Sequence, residues 1–325
     1  MIFGEYMTVA IDVGKKSSYI VVEDNGNVTS EGYVPTTKDG FSTVLSGLDK
    51  PTVIVEASST IDRVASLLEE YNADVKVAHP RNVKLIAESV KKTDKNDAHT
   101  LLNLYNSGYL PESYLASKEV RDTRNLCRNR NFLVRQRTAV KNKIQDQAFR
   151  LGVDFKHFNK RTLIELSSLS FPLERLVGEL RNLNNEVTIF DKKLEDALQQ
   201  NKNAKLLYTI PGVGVYSALA IAAEIADIDR FSTSANLCAY AGLVPRTHQS
   251  GNKEWKGHIA KGNSYLKCIL VECAHVHVRI SDSWITEAYR RIKIRAGSKK
   301  AKIAAARKLL ITIYCLLKEG RGYNA

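Results

Sequence analysis

The chain has 325 residues, enough for two or three domains, and carries a formal net charge of +13 with an isoelectric point near 9.4. Such a basic chain favours polyanionic partners, and it lacks the run of about eighteen apolar residues that a membrane span needs. It has no signal-peptide pattern, and its five cysteines are scattered. We therefore expect a cytoplasmic, nucleoid-associated protein that binds nucleic acid and no membrane.

Residues 1–115 predict an α/β domain. Three short strands come first, the second and third joined at the hairpin signal Asn25-Gly26, and a helix-strand-helix-strand-helix order follows. This order is typical of a mixed sheet flanked by helices. In the RNase H-like (RuvC-like) version of that fold, the first and fourth strands are neighbours.

Four carboxylates in this domain are candidates for one cation site. Asp12 and Glu56 each end a short apolar run that predicts a buried strand, where a charge is costly unless it is paired or bound to a metal. Asp94 and Asp97 share one face at the start of a helix. Taken alone, this second pair is explained by the usual preference for acids at helix starts. Together the four predict a Mg²⁺ site, because Mg²⁺ prefers oxygen ligands.

Residues 116–202 predict a coiled-coil helical arm that binds nucleic acid. Its first helix, residues 118–150, has ten Lys or Arg against three acids. The cations predicted to contact phosphates on this helix are Arg121, Arg124, Arg128 and Arg135. The alternative is that this basic face is merely solvated.

The second helix of the predicted arm has an apolar stripe in alternating steps of four and three. The stripe consists of Leu176, Leu180, Leu183, Val187, Phe190 and Leu194. A heptad stripe of this kind predicts that protomers join as a dimer or tetramer. The alternative is an ordinary helical hairpin packed on its own domain, because the stripe is short for a coiled coil.

Residues 203–325 predict a mainly helical domain with a helix-hairpin-helix motif. The turn 210–214 places Gly212 and Gly214 before an apolar helix, where backbone amides can approach a phosphate, although the turn could equally be only a tight connection. A polar stretch follows. Its cations predicted to bind nucleic acid are Arg246, Lys253, Lys256 and Lys261.

In order and spacing, these pieces resemble the IS110-family transposases, the DEDD recombinases with a RuvC-like N-terminal domain. The motifs that carry the resemblance lie at 10–13, 55–57, 92–98, 210–214, 239–245, 250–251, 257 and 261–263. One departure is Ser58-Ser59, where the family usually has Thr-Gly. This change affects the loop behind the predicted metal site rather than its ligands.

The resemblance implies a recombinase that excises and inserts its own element in double-stranded DNA. It further implies that Asp12, Glu56, Asp94 and Asp97 hold Mg²⁺, that Ser250 is the nucleophile, and that a structured bridge RNA pairs with donor and target DNA. The Mg²⁺ site of the same or another protomer would then activate Ser250.

Three other functions are compatible with parts of this sequence. A hydrolytic RuvC-like nuclease would use Ser250 only as a contact. An actin-like sugar kinase shares the Asp12-Val13-Gly14 pattern, but no further Asp-x-Gly pattern occurs after the predicted hairpin turn at 24–27. A non-catalytic nucleic-acid-binding protein would keep the four acids as elements of the fold.

Overall fold

The computed structural model describes residues 7–58, 60–87, 92–250, 253–259 and 261–323. The side chains at positions 247, 248, 250, 253, 254, 256 and 258 are outside this description. The chain divides once, after Lys118, into two compact units. Each unit has hydrophobic clusters of its own.

A six-stranded mixed sheet forms the centre of the N-terminal unit. Its strands are β1 (Met7–Asp12), β2 (Ser17–Asp24), β3 (Asn27–Pro35), β4 (Thr52–Glu56), β5 (Asp74–Ala78) and β6 (Glu112–Ser113). They lie in the order β3-β2-β1-β4-β5-β6, with β1, β2 and β3 antiparallel, β1, β4 and β5 parallel, and β6 antiparallel to β5. The predicted mixed sheet is confirmed, and it fits an RNase H-like domain.

Helices cover both faces of this sheet. They are α1 (Lys38–Leu45), α2 (Ile61–Glu69), α3 (Pro80–Ile86) and α4 (Asp94–Asn106). On β1, Val9 and Ile11 pack in the same cluster as Phe41 of α1, whereas Ala10 between them packs with Leu102 of α4. Because neighbouring strand residues point to opposite faces, this unbroken apolar run needs cover on both sides.

Three helices form an arm at the start of the second unit. They are α5 (Lys118–Arg150), α6 (Lys160–Ser167) and α7 (Phe171–Gln200). Arg130 on α5 donates to Asp191 on α7 at 2.9 Å, and Arg137 donates to Asn184 at 3.5 Å. Residue numbers increase along α5 while those of the partner residues decrease along α7, so the two helices are antiparallel.

The apolar stripe of α7 is used inside the single chain. Its buried members are Leu180, Leu183, Val187 and Leu194, and its partly buried members are Leu176 and Phe190. The prediction that this stripe joins protomers is therefore corrected. The stripe is covered by its own chain, as in the alternative of a helical hairpin. Leu180 packs in one cluster with residues of α5 and α6, and Leu194 packs with the core of the C-terminal helices.

The rest of the second unit contains five helices and a two-stranded sheet in the described residues. These elements are α8 (Lys202–Tyr208), α9 (Val215–Ile225), α10 (Ser234–Tyr240), β7 (Pro245–Ser250), β8 (Lys253–Ile259), α11 (Ser264–Ile280) and α12 (Trp284–Glu319). Helix α9 lies at the centre, and every residue of it from Ala218 to Ile225 is buried. None of the helices in the described part of the chain is long and apolar enough to cross a membrane.

The base of the arm belongs to the same core as these C-terminal helices. Cys127 of α5 and Leu194 and Leu198 of α7 pack in one cluster with the residues of α9, α11 and α12. Packing therefore continues through the boundary predicted between residues 202 and 203. The division into domains 1–115, 116–202 and 203–325 stays a prediction.

Candidate active site and nucleic-acid interface

Asp12 and Glu56 lie together at one edge of the N-terminal sheet. Strands β1 and β4 are parallel neighbours, with Ile11 opposite Val55, so the next residue on each strand is one of the two acids. Parallel strands bring their carboxyl ends to the same edge, which is where ligands bind in open α/β sheets. The expected adjacency of the first and fourth strands, which carry these two acids, is confirmed.

Asp94 and Asp97 stand in the first turn of α4. Thr93 caps this helix, because its side-chain oxygen accepts from the amide of Asn96 at 3.2 Å. The capping role that could have explained the two acids is thus filled by threonine. Their charge at the positive helix end is still favourable, so the start of α4 tolerates both acids without a ligand.

Strand β3 holds the start of α4 in place. The Tyr33 hydroxyl donates to Asp94 at 3.2 Å, and Glu31 bonds both Lys95 and, at 2.7 Å, His99. These contacts could not be predicted from local patterns, because they join residues more than sixty positions apart. The one available signal was that Glu31 and Tyr33 are two residues apart and so point to the same face of the strand.

One cavity of about 290 Å³ collects these carboxylates. It is lined by Asp12, Glu56 and Asp97 together with Lys84, Lys92, Thr100 and the apolar side chains of Val83, Ala87 and Leu101. The Nζ atom of Lys92 lies 3.9 Å from Oδ2 of Asp97. The structure thus brings three of the four predicted ligands to a common space.

The surroundings of this cavity disfavour the charged form of Asp12. Burial is the main reason that the pKa of Asp12 is raised to about 6. Negative neighbours add to this rise, in the order Asp94, Asp97 and Glu56, while Lys92 opposes it. All four predicted ligands therefore interact electrostatically, and a bound cation would relieve their repulsion.

The donor set fits a hard divalent cation, because it consists of carboxylate oxygens. Among the described side chains, however, no three His, Cys, Asp or Glu groups already stand close enough to coordinate one ion. The carboxylates line the same cavity without forming a finished coordination shell. Coordination therefore requires them to close on the ion.

Ser250 ends strand β7 of the second unit. It pairs with Lys253, the first residue of β8, so it lies at one end of an antiparallel strand pair. Its side chain and those of Lys253 and Lys256 lie outside the described part, whereas Arg246 and Lys261 are exposed. The roles predicted for all five residues stay predictions.

Of the four arginines predicted to track phosphates, Arg121 is buried, Arg124 is half-buried and Arg128 is exposed but paired. Only 4% of Arg121 is exposed. Arg124 donates to the carbonyl of Ala223 at 2.9 Å, and Arg128 binds the carboxylate of Glu224 at 2.8 Å. Glu224, a buried acid on α9, thus binds both Arg124 and Arg128, and the phosphate contacts of the four arginines stay a prediction. Arg135 remains exposed.

Glu224 is the centre of that buried network. Only 1% of it is exposed, and besides Arg128 its carboxylate accepts from the Asn263 side chain at 2.7 Å. Asn263 also caps α11 by accepting from the amide of Leu266 at 3.0 Å. The network therefore ties the base of the arm to the segment that follows β8. Glu224 was not among the predicted functional residues, and its one signal in the sequence is that it is an acid in an apolar helix.

The turn with Gly212 and Gly214 connects α8 to α9. A methyl group on Gly212 would lie 2.7 Å from the amide nitrogen of His277, so close packing against α11 already explains this glycine. His277 also donates from Nδ1 to the carbonyl of Pro211 at 2.7 Å. A methyl group on Gly214 would meet nothing within 4 Å. Gly214 is thus the more accessible of the two predicted phosphate contacts.

Two family models match the sequence. The one described as Transposase IS116/IS110/IS902 family matches residues 204–290. The other, DEDD_Tnp_IS110, is described as a transposase and matches residues 9–148. The second match spans the four carboxylates, and the first includes Ser250.

Individual relatives agree with these matches. The chain is 28% identical to the transposase for insertion sequence element IS1111A of Coxiella burnetii, over 87% of this chain and 82% of that protein. A probable family 20 transposase of Pseudomonas aeruginosa is 27% identical, over 70% and 71% of the two chains. The pilin gene-inverting protein of Moraxella bovis is 26% identical, over 84% and 81%.

Proposed function

Because this chain belongs to the IS110 family of insertion-sequence transposases, we propose that it moves its element by strand exchange, with Ser250 as nucleophile and Mg²⁺ in the carboxylate cavity. The general activity follows from the family, whose members include transposases and a gene-inverting protein. The chain is thus a DNA recombinase. The observation that carries the rest is the cavity shared by Asp12, Glu56 and Asp97.

The DEDD-type domain implies use of a divalent metal in general, and Mg²⁺ is our choice because the site offers only oxygen donors. Asp12, Glu56, Asp94 and Asp97 would hold it. When bound, the ion would stabilise negative charge on the reacting phosphate and promote loss of a proton from the attacking hydroxyl. The raised pKa of Asp12 supports the proposal, since it reflects carboxylates crowded together without enough positive charge.

In the proposed cleavage step, the Ser250 hydroxyl oxygen forms a bond to the phosphorus of a DNA phosphodiester. The bond from phosphorus to one deoxyribose oxygen breaks, and that oxygen leaves with a proton. The energy of the phosphodiester is kept in the serine-DNA bond, so a deoxyribose hydroxyl of another DNA end can reverse the step without ATP. Nearby cations such as Arg246 and Lys261 would stabilise the charge that develops on the phosphate.

DNA is the expected substrate of any member of this family. We further propose that a structured bridge RNA encoded by the element selects the DNA sites, and that protomers assemble as a dimer or tetramer. The net charge of +13 supports binding of one or two polyanions. Because the α7 stripe is used internally, the assembly would have to use another surface.

A hydrolytic RuvC-like nuclease is the second candidate. It is favoured by the location of the whole carboxylate cavity inside one compact unit, where a metal-activated water could replace the serine. The sugar kinase and the non-catalytic binding protein lose their support, because the family matches and the relatives are transposases.

An excision reaction separates the two candidates. Purified protein, Mg²⁺, RNA transcribed from the non-coding ends of the element, and a plasmid carrying the element should yield a resealed plasmid and a joined element. A recombinase must give rejoined products, whereas linear ends alone would indicate a hydrolytic nuclease. Omitting the RNA tests guidance separately, since unchanged site choice without RNA would exclude it.

A further inference from the structure

The middle of α12 is the most basic exposed segment in the described part of the second unit. We call residues 289–300 the α12 elbow. Its six cations are Arg290, Arg291, Lys293, Arg295, Lys299 and Lys300, and all six are exposed. No Asp or Glu occurs anywhere from residue 288 to residue 318.

Most of the elbow lies outside the core of its unit, although Tyr289 at its start is partly buried against that core. Ile285 and Ala288 before it are buried, as are Ala301 and Ala305 after it, but no residue from 289 to 300 is buried. Ile294 is 90% exposed. A helical segment without fully buried residues gains little from the tertiary packing that normally stabilises helices.

The helix is also broken within the elbow. Gly297 has φ 82° and ψ 164°, which is far from helical geometry, so α12 consists of two helical segments. A residue with a β-carbon would be strained at this φ. Arg295 precedes the break at Gly297, and Lys299 and Lys300 follow it, so cations lie on both sides of the break.

The cations of the elbow repel one another and have little to balance them. Arg290 pairs with Asp282 at 2.9 Å, but both groups are exposed, and such pairs contribute little. No ion pair joins the other five to any carboxylate in the described residues. Arg291 and Arg295 are four apart on one helical face, where like charges destabilise a helix.

We propose that the α12 elbow binds the phosphate backbone of duplex DNA. This inference rests on the proposed function, which supplies DNA as the polyanion. The elbow has what such a surface needs: many exposed cations, no acids, and no internal partners except for Arg290. Its cations are also more exposed than Arg121, which is buried, and Arg124, which is half-buried. A lipid surface would instead require a broad exposed apolar face, and Ile294 is the one exposed large apolar side chain among the described residues of the elbow.

The test compares two variants with the same loss of charge. One carries K293Q, K299Q and K300Q in the elbow. The control carries K192Q, K193Q and K202Q, three exposed lysines at the end of α7 and the start of α8. Binding of each protein to a mixed-sequence DNA duplex is measured by fluorescence anisotropy over a series of salt concentrations, and melting temperatures confirm that both variants fold.

The elbow variant should bind DNA more weakly, and the slope of log K against log salt should fall by about 0.9 for each phosphate that the elbow no longer neutralises. The control should keep a slope near that of the wild type. Equal slopes in the two variants would overturn the inference while leaving the proposed function untouched. A loss confined to binding of the element RNA would also overturn it, in favour of an RNA surface. Failure of the wild type to bind duplex DNA would instead contradict the proposed function itself.

Discussion

Replacing Asp12 by asparagine should abolish DNA strand cleavage and, at the same time, make the metal-free protein more stable near pH 7. The loss of cleavage is expected to be roughly a thousand-fold or more, because a metal site contributes several kcal/mol to phosphoryl transfer. The gain in stability is expected because the charged form of Asp12 is disfavoured in the cavity by burial and by three other carboxylates. A neutral amide of nearly the same shape removes that repulsion.

The pH dependence of this gain has a definite sign. The pKa of Asp12 is raised from 3.8 to about 6 in the folded protein. Between these values the folded state holds more protons than the unfolded state, so this group favours folding at low pH and its contribution is lost as the pH rises through 6. The melting temperature of the variant should therefore exceed that of the wild type at pH 7.5 and approach it at pH 4.

The matched control for Asp12→Asn is Asp49→Asn, which removes an exposed carboxylate of the same unit outside the cavity. It should leave both cleavage and melting temperature unchanged. Retained cleavage in Asp12→Asn would show that the cavity is not the catalytic centre. A lower melting temperature at pH 7.5 would show that Asp12 is held by favourable contacts rather than crowded by like charges.

Replacing Glu224 by alanine should produce the largest loss of stability. Glu224 is nearly inaccessible and pairs with Arg128 and Asn263. Removing the carboxylate leaves the Asn263 amide and the mostly buried Arg124 side chain without this partner, and a buried polar group left unsatisfied typically costs about 1–3 kcal/mol. Denaturant unfolding of Glu224→Ala should therefore show a large fall in the free energy of unfolding.

A double variant distinguishes the loss of charge pairing from the loss of volume. Glu224→Ala combined with Arg128→Met keeps the same loss of volume at position 224 but removes both charges, so it should be less destabilised than Glu224→Ala alone, in which Arg128 has lost its partner. Glu272→Ala, at an exposed position on α11, is the control and should be nearly neutral. If the double variant were as unstable as Glu224→Ala, packing rather than charge would explain the role of Glu224.

The N-terminal fold was largely predictable because its signals are local. Buried strands are visible in the sequence as apolar runs. The Asn25-Gly26 turn joins β2 to β3, as expected. The positions of Asp12 and Glu56 then followed from the topology alone, since neighbouring parallel strands end at one edge. The support given to Asp94 by Tyr33 could not be predicted, because it depends on where β3 lies relative to α4.

The charges of the second unit were harder to interpret. An excess of cations on α5 indicates a basic helix, but it does not show which arginines face solvent. Glu224 appears in the sequence as a single acid in an apolar helix, and only the fold places it beside Arg124 and Arg128. Similarly, the spacing of the α7 stripe shows that the stripe is buried without showing whether its own chain or another one covers it.

A search for a covalent bond between Ser250 and DNA is the decisive test of the proposed mechanism. Wild-type protein incubated with Mg²⁺, the element RNA and a labelled duplex spanning an element end should give a protein-DNA species that survives denaturing electrophoresis. Mass spectrometry should locate the DNA on the peptide that contains Ser250. Ser250→Ala should give no such species, while Ser264→Ala, at an exposed position of α11, should give it normally. Cleavage and rejoining of DNA by Ser250→Ala would contradict the mechanism, because water or another hydroxyl would then be the nucleophile.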